Sequence, residues 1–131
     1  MLYELLLATH VLSFVGWAGL TTGAYEVVRE VARGELPASY RRLVYLEAAS
    51  AVALFLSGLL MAVLVYNFPK SPLWIHHSLG VASIAGMMEI YHVLVARENS
   101  AGKYYKAAKA LIPAWIVIVA VMLWLMVWKP F

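Results

Sequence analysis

Residues 73–92 read LWIHHSLGVASIAGMMEIYH. From Ser71 to Met88 there are 18 residues without Asp, Glu, Lys or Arg, yet positions 76, 77 and 92 are histidines. A run of that length and composition predicts a helix crossing a bilayer. Inside a bilayer an ionisable side chain is rare and costly, and it marks function by default. The same stretch therefore sets the fold and proposes the site. Each neighbouring segment can then be asked whether it supplies a partner for His76, His77 or His92. The fourth histidine, His10, is the first candidate.

Three further runs free of charged residues flank this one. Leu5 to Tyr25 spans 21 residues, Ala48 to Pro69 spans 22, and Ala110 to Trp128 spans 19. A helix needs about 20 mainly apolar residues to cross the hydrocarbon core. A soluble bundle would carry charged outer stripes at helical spacing, and these segments carry none. The expected fold is all-α, an integral membrane four-helix bundle running up-down-up-down. It forms a single transmembrane domain over 1–131, with spans over 3–28, 44–67, 72–95 and 107–128.

The composition agrees. Hydrophobic residues make up 64% of the 131 residues and charged residues 13%, against about 45–50% and about 25% in soluble domains. Mean hydropathy is +0.81. The net charge is +3 and the isoelectric point about 9.3, but the basic residues lie between apolar runs and form no dense patch. That argues against nucleic acid as a partner. Cysteine is absent, which excludes disulfides, Fe–S clusters, thiolate zinc sites and covalent c-type haem. Glu4 stands where a signal peptide has a positive region, and the apolar run after it is too long for one. The N-terminus therefore reads as the first span.

Charge sorts the connections. Arg29, Arg33, Arg41 and Arg42 lie between the first two spans, and Arg97, Lys103, Lys106 and Lys109 between the last two. The opposite side has only Lys70 and Lys129. The positive-inside rule then places both termini on the extracytoplasmic side of a multi-pass plasma-membrane protein.

This topology gives the histidines their depths. His10, His76 and His77 fall in the half that holds the termini, and His92 in the other. At about 1.5 Å per residue, His77 and His92 are roughly 22 Å apart along the helix. One small cofactor cannot bridge both. Histidines reaching inward from two helices are a usual way to hold haem b, whose iron takes axial imidazoles. His10 with His77 or His76 is the expected ligand pair. Looking down the helix, His77 lies about 60° from His92 and His76 about 160°, so His77 is the inward one if His92 is. Ser13, Trp17 and Thr21 lie near the His10 face and would wall the cofactor. Gly16, Gly19 and Gly23, with Gly80, Ser83 and Gly86 on the third helix, form small-residue stripes that allow close helix approach. Met122 and Met126 would pack, bind copper or cap a haem edge. The competing readings are a copper site and purely structural histidines.

The other half groups Glu26, Glu47, Glu89 and His92, with Tyr91 beside them. Glu89 and His92 are i, i+3 neighbours on one helical face. A carboxylate and an imidazole so placed can move protons or orient a substrate. The plainer alternative is helix-end pairing with Arg29, Arg42 or Lys109. Pro113 inside the fourth span is expected to kink it.

Several of these pieces, in order, resemble HemJ-type protoporphyrinogen IX oxidases. Thr9-His10-Val11-Leu12 followed by Trp17-Ala18-Gly19-Leu20 is similar to their first helix, and Ser57-Gly58-Leu59-Leu60 to their second. Trp74-Ile75-His76 with Tyr91-His92 resembles the third, and Pro113 with Val127-Trp128-Lys129-Pro130-Phe131 the last. A more distant likeness extends to CopD-like copper-handling membrane domains. The resemblance implies haem b bound with the help of His10. It also implies oxidation of protoporphyrinogen IX to protoporphyrin IX, with electrons passed toward the respiratory chain. In such an oxidase the group of Glu89, Tyr91 and His92 would be the one to assist proton removal. Porphyrin or quinone would be the small-molecule partner. Where the family usually has a lysine after Trp-x-His, this chain has His77 and Ser78, and Ala110-Leu111 stand in place of an Asn-Glu pair. A haem-b electron-transfer subunit without chemistry of its own is the alternative. The apolar surface of four helices suits a homo-oligomer or a subunit of a membrane complex.

Overall fold

In lipid no water is available to the backbone, so long apolar runs satisfy their N–H and C=O groups internally, as helices. The computed structural model describes residues 1–30, 34–35 and 37–130. It contains four helices and, among the described residues, no strand: α1 (Leu2–Glu30), α2 (Ala38–Leu64), α3 (Leu73–Arg97) and α4 (Ala101–Trp128). Their 25 to 29 residues give lengths of roughly 38–44 Å. All four are long and apolar enough to cross a membrane. The chain is an all-α four-helix membrane bundle, as the hydropathy predicts. Arg33 and Phe131, which entered the charge count and the C-terminal motif, lie outside the described residues.

The helices outrun the expected spans where polar residues follow. α2 begins at Ala38 rather than 44, and α4 at Ala101 rather than 107. Arg41, Arg42, Lys103 and Lys106 end an apolar run but not a helix, since an outer turn can hold them in the headgroup region. Local chemistry sets the true starts. Pro37 precedes α2 with its φ already near the helical value. Ser100 caps α4 by accepting the Lys103 backbone N–H. α2 stops at Leu64, short of the expected 67, in a turn where Asn67 takes a φ of +53°. α4 continues through Pro113 as one helix.

α1 packs on α2 and α4, and α3 packs on the same two, so the helices form a ring whose diagonals stand apart. Neighbours run antiparallel. One end of the bundle gathers Ala24 and Val28 of α1, Tyr40 and Val44 of α2, Val95 and Ala96 of α3, and Ala101, Tyr104, Ala107 and Ala108 of α4. This loop end is tightly packed because four of its α4 and α3 positions are alanine, which lets the backbones close around two buried tyrosine rings. Tyr40 and Tyr104 meet edge to face at 5.1 Å. The backbone of Ala101 also donates to the Gly34 carbonyl at 3.0 Å, tying the first connection to α4.

The other end is looser. From there a half-open cavity of about 800 Å³ with mostly apolar walls runs along the helices as far as Val93 and Leu94. Tyr66 and Trp74 pack edge to face beside it at 5.6 Å, and the Lys129 ammonium lies 5.5 Å from the centre of the Trp74 ring. The two small-residue stripes behave differently from expectation. Gly16 does meet α2, where an added Cβ would stand 2.9 Å from Ser50 Oγ. Gly19, Gly23, Gly80 and Gly86 have nothing within 4 Å of that position. Gly19 and Gly23 face outward, so their spacing brings no helix of this chain close.

Candidate functional site

The cavity joins two groups of polar side chains. His10, Trp17, Met122, Met126 and Glu89 are all on its wall. His10 is in the half nearer the termini. Its Nδ1 lies 3.0 Å from the Leu54 carbonyl and 3.0 Å from Ser57 Oγ. A carbonyl can only accept, so Nδ1 carries the proton and the lone pair of a neutral ring sits on Nε2. Among the described residues no hydrogen bond reaches Nε2. Ser57 turns its own hydroxyl proton toward the Ala53 carbonyl at 2.7 Å or that of Leu54 at 3.0 Å. Gly58 makes room for the ring, since an added Cβ would lie 3.0 Å from His10 Cε1. Helix α2 thus holds His10 in one tautomer and one place. A backbone carbonyl on one ring nitrogen is how a metal-ligating histidine is commonly oriented.

The other expected ligands lie elsewhere. His76 Nε2 stays near its own helix start, 3.2 Å from the Pro69 carbonyl and 3.3 Å from Ser71 Oγ, with the Phe68 ring 4.7 Å away. His77 is exposed on the outside of α3. Neither lines the cavity that holds His10. Ser13 is half-buried and is not on the cavity wall either.

The second group is tighter. Glu47 is fully buried and His92 nearly so. His92 Nδ1 lies 3.2 Å from Glu47 Oε1 and 3.8 Å from Glu89 Oε1. Two side chains of α1 meet the carboxylates: Thr21 Oγ1 lies 2.7 Å from Glu47 Oε1 and 2.7 Å from the Trp17 carbonyl, either of which can take its one proton, and Trp17 Nε1 donates to Glu89 Oε2 at 3.2 Å. Trp17 is itself set by Trp115, with ring centres 5.9 Å apart. The His92 ring rests against Tyr104 at 5.0 Å. The expected closeness of Glu47, Glu89 and His92 is therefore present. Glu26 is not part of it, since it turns outward and pairs with Arg29 at 3.6 Å. Tyr91 is 51% exposed on the outside of α3, because one residue before His92 means a turn of about 100°.

Comparison with protein-family models, curated proteins and solved structures finds no match.

Sequence reasoning missed the residues that position the site. Trp17, expected to wall a cofactor near His10, lines the cavity with His10 and also holds Glu89, whereas Thr21 meets Glu47. Ser57 was not singled out as a partner of His10. The available signal was a hydroxyl in mid-span of α2, at the depth of His10 in mid-span of α1.

Proposed function

We propose that this chain is a haem-b-binding membrane protein, related in action to the HemJ-type oxidases, which carries electrons out of an apolar substrate held inside the bilayer. The observation that carries this is a large apolar cavity with the oriented His10 on its wall. Intramembrane haem asks for an apolar slot between helices and an imidazole base whose other nitrogen is already engaged. His10 meets the second demand through Leu54 and Ser57, and the cavity meets the first. Haem bound there would supply an electron acceptor within the membrane. His10 would hold it through Nε2, and the thioethers of Met122 and Met126 lie on the same wall. The His10–His77 pair expected from the sequence is not brought together at the cavity, so His10 carries the haem assignment.

A porphyrinogen is the substrate that the resemblance implies, with a quinone receiving the electrons. The tetrapyrrole ring and the quinone tail are apolar bodies of the kind such a wall accommodates. Of the residues expected to assist proton removal, Glu89 lines the cavity, His92 stands behind it and Tyr91 faces away. The basic loop end would face the cytoplasm of a cell whose plasma membrane holds the protein. The same cavity would serve a non-catalytic electron-transfer subunit.

Spectroscopy of the detergent-solubilised protein tests this. A Soret band and a reduced α-band are expected in the wild type and in His92→Ala, with the band lost or reshaped in His10→Ala. A wild type without a Soret band after haem reconstitution removes the proposal. If haem binds, protoporphyrin fluorescence formed anaerobically from protoporphyrinogen and a quinone separates the oxidase from the subunit.

A further inference from the structure

We propose that Glu47, Glu89 and His92 form a binding site for one divalent first-row transition-metal ion, separate from the haem position at His10. Each offers a ligand atom, and these atoms lie within 4.8 Å of one another. The geometry follows from the sequence. Glu89-x-x-His92 places a carboxylate and an imidazole on one face of α3, and α2 brings Glu47 against them. A Glu-x-x-His pair joined by a glutamate from another helix is half of the donor set that carboxylate-rich helix bundles use for two metals. Half the set suits one ion.

Three observations point beyond an ordinary ion pair. Glu47 Oε2 makes no hydrogen bond although the side chain is only 1% exposed, and Glu89 Oε1 is also buried without one. A carboxylate oxygen so placed asks for a partner that the protein does not supply. Charge gives the second. Two carboxylates face a single imidazole, and among the described residues no Lys or Arg stands within 4.0 Å of either. The other ionisable groups around them are the phenols of Tyr25, Tyr40 and Tyr104, which bring no positive charge. A divalent cation with a neutral imidazole would balance the site. Third, the three residues line a small cavity of about 40 Å³, room for an ion with a water.

The support for the ligands is already built. Thr21 holds Glu47 Oε1 and Trp17 holds Glu89 Oε2, the kind of outer contact that orients metal-binding carboxylates. Two carboxylates and one imidazole favour Mn²⁺, Fe²⁺ or Zn²⁺. They offer too few oxygens for Ca²⁺.

The full-length protein in detergent, stripped with EDTA, would be titrated with Co²⁺ and followed by its visible d–d absorption, with Zn²⁺ as competitor. One Co²⁺ per chain is expected. Glu47→Gln and His92→Gln should each weaken binding by more than about 100-fold, and Thr21→Val, which removes no ligand, by roughly tenfold. His10→Ala should leave Co²⁺ binding unchanged, which keeps this result distinct from the fate of the Soret band. Wild-type binding no tighter than that of Glu47→Gln overturns the site and leaves a self-contained ion pair. If the glutamine variants fail to fold, Thr21→Val decides, and wild-type affinity in that variant overturns the site as well.

Discussion

Replacing Gly58 by alanine should destabilise the protein only while His10 is present. The new Cβ would stand 3.0 Å from His10 Cε1 and 3.4 Å from Nδ1, whereas carbon atoms pack best at about 3.5–4.0 Å. The ring must retreat by about half an ångström or more, which is roughly what it takes to break a bond from Nδ1 to Leu54 that starts at 3.0 Å. Losing that bond costs about 1 kcal/mol, and overpacking adds about 1–3 kcal/mol. Alanine returns about 1 kcal/mol through its higher helix propensity. The net expectation is a loss of about 1–3 kcal/mol. In a His10→Ala background the obstruction is gone and Gly58→Ala should be neutral or stabilising by up to about 1 kcal/mol. The coupling between the two sites, bond loss plus overpacking, is then about 2–4 kcal/mol. The assay is a double-mutant cycle by reversible SDS unfolding in mixed micelles, followed by far-ultraviolet circular dichroism. Effects that add within about 0.5 kcal/mol would refute the placement of the His10 ring against α2.

Two further outcomes are expected from packing and hydrogen bonding. Trp17→Phe removes the only hydrogen bond that the described residues give Glu89. It should cost about 1–3 kcal/mol in the same unfolding assay, while Trp17→Phe in a Glu89→Leu background should cost less. Ala101→Leu puts a large side chain where none of the residue is exposed, between four helix ends. A loss of about 1–3 kcal/mol is expected, read as an earlier unfolding midpoint, with the Soret band retained since Ala101 is not on the cavity wall.

The helices were legible because hydropathy and length together leave a bilayer-spanning chain few options. Their ends were not, since a charged residue closes an apolar run without closing a helix, as Arg41 and Lys106 demonstrate. Within the site, Glu89 and His92 were legible from i, i+3 spacing on one helix. The addition of Glu47 followed only loosely, from matching depth on an antiparallel neighbour. Rotation of each helix about its axis was the missing quantity. It turns His77, Glu26 and Tyr91 outward, and it directs the Trp17 indole N–H and Thr21 to the carboxylates. Hydropathy that is high on every side of a helix gives no direction to that rotation. Only the side chains met across the bundle do, such as Ser57 facing His10 and Tyr104 facing His92.

The two ends of the bundle also differ as barriers to traffic. Tyr40, Tyr104 and the alanines around them pack the loop end, whereas a large half-open cavity runs along the bundle from Tyr3 and Lys129 as far as Leu94. Its wall includes Met87 and Ile90, which are exposed on the outside of α3. Such a shape opens sideways, toward lipid. An approach to Glu89 along that wall favours solutes already dissolved in the lipid over those in water.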